Sequence, residues 1–327
     1  MLIAQAEYLA ERIPNVKIFV TYFTSQLDGV FHHLKSKYPA NITVERMGQF
    51  CFKNIRSRNS NEDRDEYFQA CLESLKDKKE LQEKYDYIFV DEGQDFRPSI
   101  GAMVELLAKV KDFKSKNIAV AFDDFQALSN KDKVDTTQTF KGKQRGRVKK
   151  LDISYRTPKE IALKAERLID EKIDSFRSVP KAFNQHKLEE GEKISDYIIQ
   201  VVNRIKKSDS YNIDFRDIAI IYPHHSYLHT KAEKEVNDIF PLQIYKTKSS
   251  KIISKDKNSI KFFSSTYCKG LDFKVVFLIM FDEIPEEGHE AINKKPQEHL
   301  YVSLTRTLEY VFVIYRKPTP LLNVILD

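Results

Sequence analysis

The sequence predicts an α/β protein with largely parallel sheets, divided into two domains. Short apolar runs of strand length alternate with segments of helical periodicity along the chain, the pattern of parallel strands joined by helical crossovers. The runs Tyr87–Val90 and Ile218–Tyr222 are apolar without alternation, as expected for strands covered on both faces. A length of 327 residues corresponds to roughly two domains at about 150 residues each.

Taken in order, Leu2, Ala6, Leu9 and Ile13 recur at helical spacing, so a helix is expected to end before Pro14. Residues 17–23 read as a strand, 62–83 as a charged helix, and 117–122 as a repeat of the Tyr87–Val90 strand pattern. The stretch Lys141–Lys150 is polar and strongly basic. It reads either as a solvated connection or as a patch that tracks phosphates. Beyond it, a helix is expected from about Lys159, a strand at 218–222, a helix at 227–239, strands at 260–263 and 275–281, a helix at 297–307 and a strand at 310–315. No internal repeat is visible. The expected domains are 1–148 and 149–327.

Composition removes several classes. Nine glycines, against roughly 23 at average usage near 7%, exclude collagen-like and glycine-repeat architectures. A hydrophobic content of 41% excludes a disordered chain. The longest apolar run, Val275–Phe281, is far short of the roughly 20 residues of a membrane helix. The N-terminus has no basic region before its apolar residues, unlike a signal peptide. Cys51, Cys71 and Cys268 are scattered and show no zinc spacing, so a reducing, cytoplasmic setting is expected. The net charge of +6 permits nucleic-acid binding without demanding it.

The strongest local signal is Ile88-Phe89-Val90-Asp91-Glu92-Gly93-Gln94-Asp95. A buried strand runs out into adjacent carboxylates, and ligands of open α/β sheets bind beyond the carboxyl ends of the strands. Asp91 suits Mg²⁺, which prefers carboxylate, water and phosphate oxygens. Glu92 suits the orientation and deprotonation of an attacking water. By itself the segment is also compatible with an acidic turn.

The Asp-Glu-x-Gln-Asp segment resembles the Walker B motif of superfamily 1 DNA helicases of the UvrD/Rep type. Five more segments resemble that family's motifs in the same order: Thr21-Tyr22-Phe23-Thr24, Phe122-Asp123-Asp124-Phe125-Gln126, Ser154-Tyr155-Arg156-Thr157, Lys269-Gly270-Leu271-Asp272-Phe273 and Tyr301-Val302-Ser303-Leu304-Thr305-Arg306. The resemblance spans nearly the whole chain. It implies two RecA-like lobes with ATP and Mg²⁺ between them, and single-stranded DNA, with RNA as the alternative, as the nucleic-acid partner. It also implies that Asp91 holds Mg²⁺, and that Glu92, Gln126, Arg156 and Arg306 act in hydrolysis. Tyr155 would stack on the base, with Gly270 and Asp272 near the nucleotide. Thr21, Phe23, Thr24, Ser264 and Thr266 would face the nucleic-acid strand. Three positions depart from the pattern: Thr266 stands where the family has His, Ser264 where it has Thr, and Phe122 where it has Gly.

One part of the pattern is missing. A helicase of this type needs GxxxxGK[ST] at the start of its first helix, where backbone N–H groups and a lysine hold phosphates. None of the nine glycines is followed by Lys and then Ser or Thr; Gly142-Lys143-Gln144 comes nearest. The expectation is an N-terminally truncated or split helicase core without a large accessory domain. The phosphate loop would come from a partner protein or an upstream segment, and the chain alone would have little or no ATPase activity. The alternative is a remnant that binds nucleic acid or a partner without hydrolysis.

Overall fold

A computed structural model describes residues 2–24, 27–111, 115–123, 153–170, 172–207, 212–223, 227–245, 258–284 and 296–327. Gln126 and the basic stretch 141–150 lie outside the described residues. The chain divides into two compact units, Met1–Val148 and Lys149–Asp327. Each is α/β, and the main sheet of each is parallel.

The first unit opens with α1 (Leu2–Arg12), β1 (Ile18–Tyr22), α2 (Asp28–Lys37), β2 (Ile42–Arg46), α3 (Met47–Asn54) and α4 (Arg64–Asp77). It continues with β3 (Tyr87–Val90), α5 (Pro98–Leu107), β4 (Val110–Lys111), β5 (Ser115–Lys116) and β6 (Ile118–Val120). The main sheet runs β2-β1-β3-β6, while β4 and β5 form a small antiparallel pair. The central strands β1 and β3 are apolar on both faces because each face is covered. Ile18, Val20, Tyr22 and Phe89 pack with Leu2, Ala6, Phe31 and Leu34 from α1 and α2. Phe19, Ile88 and Val90 pack with Phe50, Phe68 and Val104 from α3, α4 and α5. The charged helix is shorter than its sequence pattern suggested. Asp63 caps it by accepting from the N–H groups of Asp65 and Glu66, and the helix stops at Asp77.

The second unit contains β7 (Ile153–Ser154), β8 (Asp174–Ser175), β9 (Phe183–Lys187), β10 (Ile218–Tyr222), β11 (Leu242–Tyr245), β12 (Ile260–Ser264), β13 (Phe273–Ile279) and β14 (Thr307–Tyr315). The large sheet runs β11-β12-β10-β13-β14-β9, and β7 pairs separately with β8. Helices Ile194–Lys207 and Tyr227–Asn237 pack together; Ile198, Val202 and Val236 from them cover Ile220, Phe262 and Phe277 of the sheet. The helix Lys159–Ile169 packs on helices Pro296–Leu304 and Pro320–Leu326. The expected helix at 297–307 ends at Leu304 instead, because Thr307 enters β14 opposite Phe273. The expected strand at 275–281 ends at Ile279, where Met280 turns into left-handed backbone, φ 61°. The polar strand β9 has no apolar run to announce it and is set by its pairing with β14.

Candidate functional site

In the first unit, parallel pairing brings the carboxyl ends of β1, β3 and β6 to one edge of the sheet. The carboxylate turn follows β3 there. Its backbone is tied to β1 and to the segment after β6 at three points: Asp91 N donates to Thr21 O at 3.0 Å, Gly93 N to Ala121 O at 2.9 Å and Ala121 N to Val90 O at 2.8 Å. Glu92 has φ 54°, a left-handed conformation uncommon for a non-glycine residue. Such departures are held only where surrounding structure over-determines them, and the three bonds do so here. Gly93 is required by close approach, since a Cβ there would lie 2.4 Å from Val120 Cγ1.

The side chains continue this fastening. Gln94 is buried at 1% exposure; its amide donates to Glu92 Oε2, and its carbonyl accepts from Asp123 N at 3.1 Å. Glu92 is thus linked through Gln94 to the segment after β6. Asp91 is partly buried, and burial raises its pKa above the usual carboxylate range, against a lowering hydrogen bond from the backbone of Glu92. Among the described residues no group of three or more His, Cys, Asp or Glu side chains could enclose a metal. The donor set fits Mg²⁺ held by one carboxylate with water and phosphate oxygens completing its shell.

Three further sequence candidates follow β1 or end it. Thr21 is fully buried and its hydroxyl faces Met47 Sδ at 4.0 Å, so its side chain belongs to the core; its carbonyl serves the carboxylate turn. Phe23 is half-buried, 6.1 Å from the rings of both Phe68 and Phe96, with the Arg64 guanidinium 4.0 Å above its own ring. One face of Phe23 is therefore already occupied by a cation. The Thr24 hydroxyl is buried and makes no hydrogen bond.

In the second unit, the structure joins Arg156 to Asp272 by an ion pair, with Nη1 at 3.0 Å from Oδ1 and 3.2 Å from Oδ2. Asp272 is delivered by a turn at Gly270, φ 71°. Arg306 lies next to that turn: its carbonyl accepts from Phe273 N at 2.9 Å. Its guanidinium is 1% exposed and donates to Val302 O at 3.1 Å and Thr305 Oγ1 at 3.2 Å. Tyr155 is the opposite case, 75% exposed. Ser264 ends β12 and Thr266 lies just beyond it, with their hydroxyls 2.7 Å apart. Asp272 and Arg306 precede the amino ends of β13 and β14. With β12, β10 and β13 parallel and in register, these two groups sit at opposite edges of the sheet.

Several residues here carry no sequence signal. Ser265 Oγ lies 2.7 Å from His299 Nδ1, both buried, and joins the β12 end to the helix Pro296–Leu304. Cys268 is buried beneath it, which raises its thiol pKa to about 11 despite the nearby Arg306 charge. Ser175 accepts from Arg177 N at 3.3 Å and donates to Thr157 O at 2.6 Å, pinning the Tyr155–Thr157 loop. Gln94 lay inside a recognisable motif, but its link to Asp123 spans 29 residues and needs the fold to be seen.

No protein-family profile matches the chain, and no curated protein matches it. Among solved structures, it is similar to the C-terminal domain of a possible DNA helicase from Lactobacillus plantarum WCFS1. That similarity has 19% identity and a TM-score of 0.34, covering 53% of this chain and 94% of the other. It is also similar to the Arterivirus nonstructural protein 10 (helicase), at 12% identity and a TM-score of 0.46. That match covers 99% of this chain and 60% of the other. Both likenesses are too distant to assign a function. Among the described residues, no helix is long and apolar enough to cross a membrane.

Proposed function

We infer that the chain is the core of a nucleic-acid-stimulated ATPase of the UvrD/Rep helicase type that uses ATP and Mg²⁺. One observation carries this reading: a carboxylate pair stands at the carboxyl end of β3, with Glu92 held in left-handed backbone and bonded through Gln94 to the segment after β6. Asp91 would hold Mg²⁺, and Glu92 would position the attacking water. Arg156 and Gln126 take the phosphate-sensing roles that their motifs imply; Arg306, whose guanidinium is buried and bonded to Val302 O and Thr305 Oγ1, would have to leave those bonds to join them. When bound at Asp91, the metal would neutralise charge on the phosphates.

The phosphate loop is absent from these 327 residues and comes, on this reading, from another polypeptide or segment. The end strand of the first sheet supports that assembly. Among the described residues β6 pairs only with β3, and Ile118, Ala119 and Val120 are partly buried. An uncharged apolar edge of this kind is a template for a further strand.

The test is ATP hydrolysis by the purified chain, with and without single-stranded DNA, repeated with a version carrying a phosphate loop. Little or no turnover is expected from the chain, and DNA-stimulated turnover from the completed version, abolished by Glu92→Gln. Robust Glu92-dependent turnover by the 327-residue chain would overturn the incomplete-motor reading. A completed version that binds DNA but hydrolyses nothing would favour a binding remnant.

A further inference from the structure

Ser264 with Thr266 and Asp272 with Arg306 lie at opposite edges of the large sheet of the second unit. A buried polar chain runs between the two edges. Thr266 is exposed, but its neighbour Ser265 is fully buried, and Ser265 Oγ lies 2.7 Å from His299 Nδ1. His299 O accepts from Ser303 Oγ at 2.7 Å, and Ser303 O accepts from Arg306 N at 3.3 Å. His299, Ser303 and Arg306 are each at most 1% exposed.

The helix Pro296–Leu304 thus carries the chain from the carboxyl end of β12 to the amino end of β14. On the loop side, Cys268 Sγ donates to Ser265 O at 3.0 Å and the same thiol meets Ser303. The chain has one adjustable joint. The Ser265 hydroxyl has a single proton and two acceptors, His299 Nδ1 at 2.7 Å and Pro223 O at 3.4 Å. When it donates to His299, a neutral imidazole carries its proton on Nε2; when it donates to Pro223, Nδ1–H donates to Ser265 instead. A buried network with two discrete arrangements is the kind of element that two distant sites can bias.

We propose that His299 is a positioning residue that, by holding Ser265, transmits occupancy of the Thr266 edge by a single-stranded nucleic acid to Arg306. This rests on the nucleic-acid reading of Ser264 and Thr266 and adds to it a residue outside the six motifs. A strand that bonds the Thr266 hydroxyl competes with the Ser264–Thr266 bond and shifts the turn between them. Ser265 then turns towards Pro223 O, His299 changes tautomer, and the helix end that holds Arg306 follows. The Arg306 bonds to Val302 O and Thr305 Oγ1 are the ones that loosen.

The test is nitrogen-15 NMR on the full chain, titrated with an oligodeoxythymidine. Arg306 Nε–H, bonded to Val302 O at 3.1 Å, gives a protected signal, and the His299 ring nitrogens report the tautomer. In the wild type the oligonucleotide is expected to shift the His299 signals and to speed exchange of Arg306 Nε–H with water about tenfold. His299→Leu should keep oligonucleotide affinity within about twofold and abolish the Arg306 response. His299→Asn, whose amide stands near the place of Nδ1, should restore it. A full Arg306 response in His299→Leu would show that the coupling bypasses His299, and the proposal falls. Oligonucleotide binding that moves neither signal in the wild type also overturns it, leaves the nucleic-acid reading standing and needs no variant to fold. Failure of the wild type to bind the oligonucleotide would overturn both readings.

Discussion

The turn after β3 and the loop after β7 present candidate chemistry in opposite ways. At the first, backbone does the holding: three main-chain hydrogen bonds fix Asp91, Gly93 and Ala121, and a left-handed Glu92 aims its carboxylate at Gln94. At the second, only two ladder residues on each strand pair, and side chains such as Ser175 complete the fastening while Tyr155 projects outward. On the proposed reading, Asp91 and Glu92 would keep a metal and a water in register, a task that needs a stiff frame. A stacking ring such as Tyr155 needs an exposed face more than it needs backbone constraint.

The contrast is broken first at Gly93. Gly93→Ala forces a Cβ to within 2.4 Å of Val120 Cγ1, and β-branched Val120 cannot swing aside easily. A loss of roughly 1–3 kcal/mol is expected, read as faster amide exchange at Ile88 and Val90, with most of it recovered in Gly93→Ala/Val120→Ala. Exchange like that of the wild type would show that the frame is looser than its geometry.

Ser175→Ala tests the second loop. It removes one hydrogen bond that joins the β8 end to the segment after β7 and one within the loop after β8, for an expected local cost of about 1 kcal/mol. Amide exchange at Arg177 should quicken while that at Ile88 does not. Equal effects in both units would erase the distinction drawn between them.

The smallest expected effect has the opposite sign. Burial raises the pKa of Asp91 above the usual carboxylate range, so the folded chain binds this proton more tightly than the unfolded one. The stability from that proton is present below the ordinary carboxylate pKa and is lost as pH rises through the raised value. Asp91→Asn should therefore melt slightly higher than the wild type at neutral pH, with the gain fading in acid. A lower midpoint at neutral pH would mean that Asp91 is a stabilising charge in the free protein.

How much was legible in advance differs between these regions. Tyr87–Val90 and Ile218–Tyr222 are strands in the structure with the bounds their apolar runs suggested, because a parallel strand buried on both faces needs an unbroken apolar run and little else. The pairing of Asp91 with Glu92 was also readable, since adjacent residues keep their adjacency in any fold. Element ends were less so: Thr307 looked helical until its pairing opposite Phe273 claimed it for β14.

By itself, then, the sequence determined the α/β class, the principal buried strands and the candidate residues that lie next to one another in the chain. Tertiary structure alone decided that Thr21 lends its carbonyl rather than its hydroxyl, and that Gln94 reaches Asp123. It also decided that Arg156 meets Asp272 across 116 residues and that Phe176 stands beside Tyr155. The physical reason is the same in each case. Strand propensity and burial are local properties of a run of side chains, whereas register and side-chain direction arise only when strands from distant parts of the chain are paired.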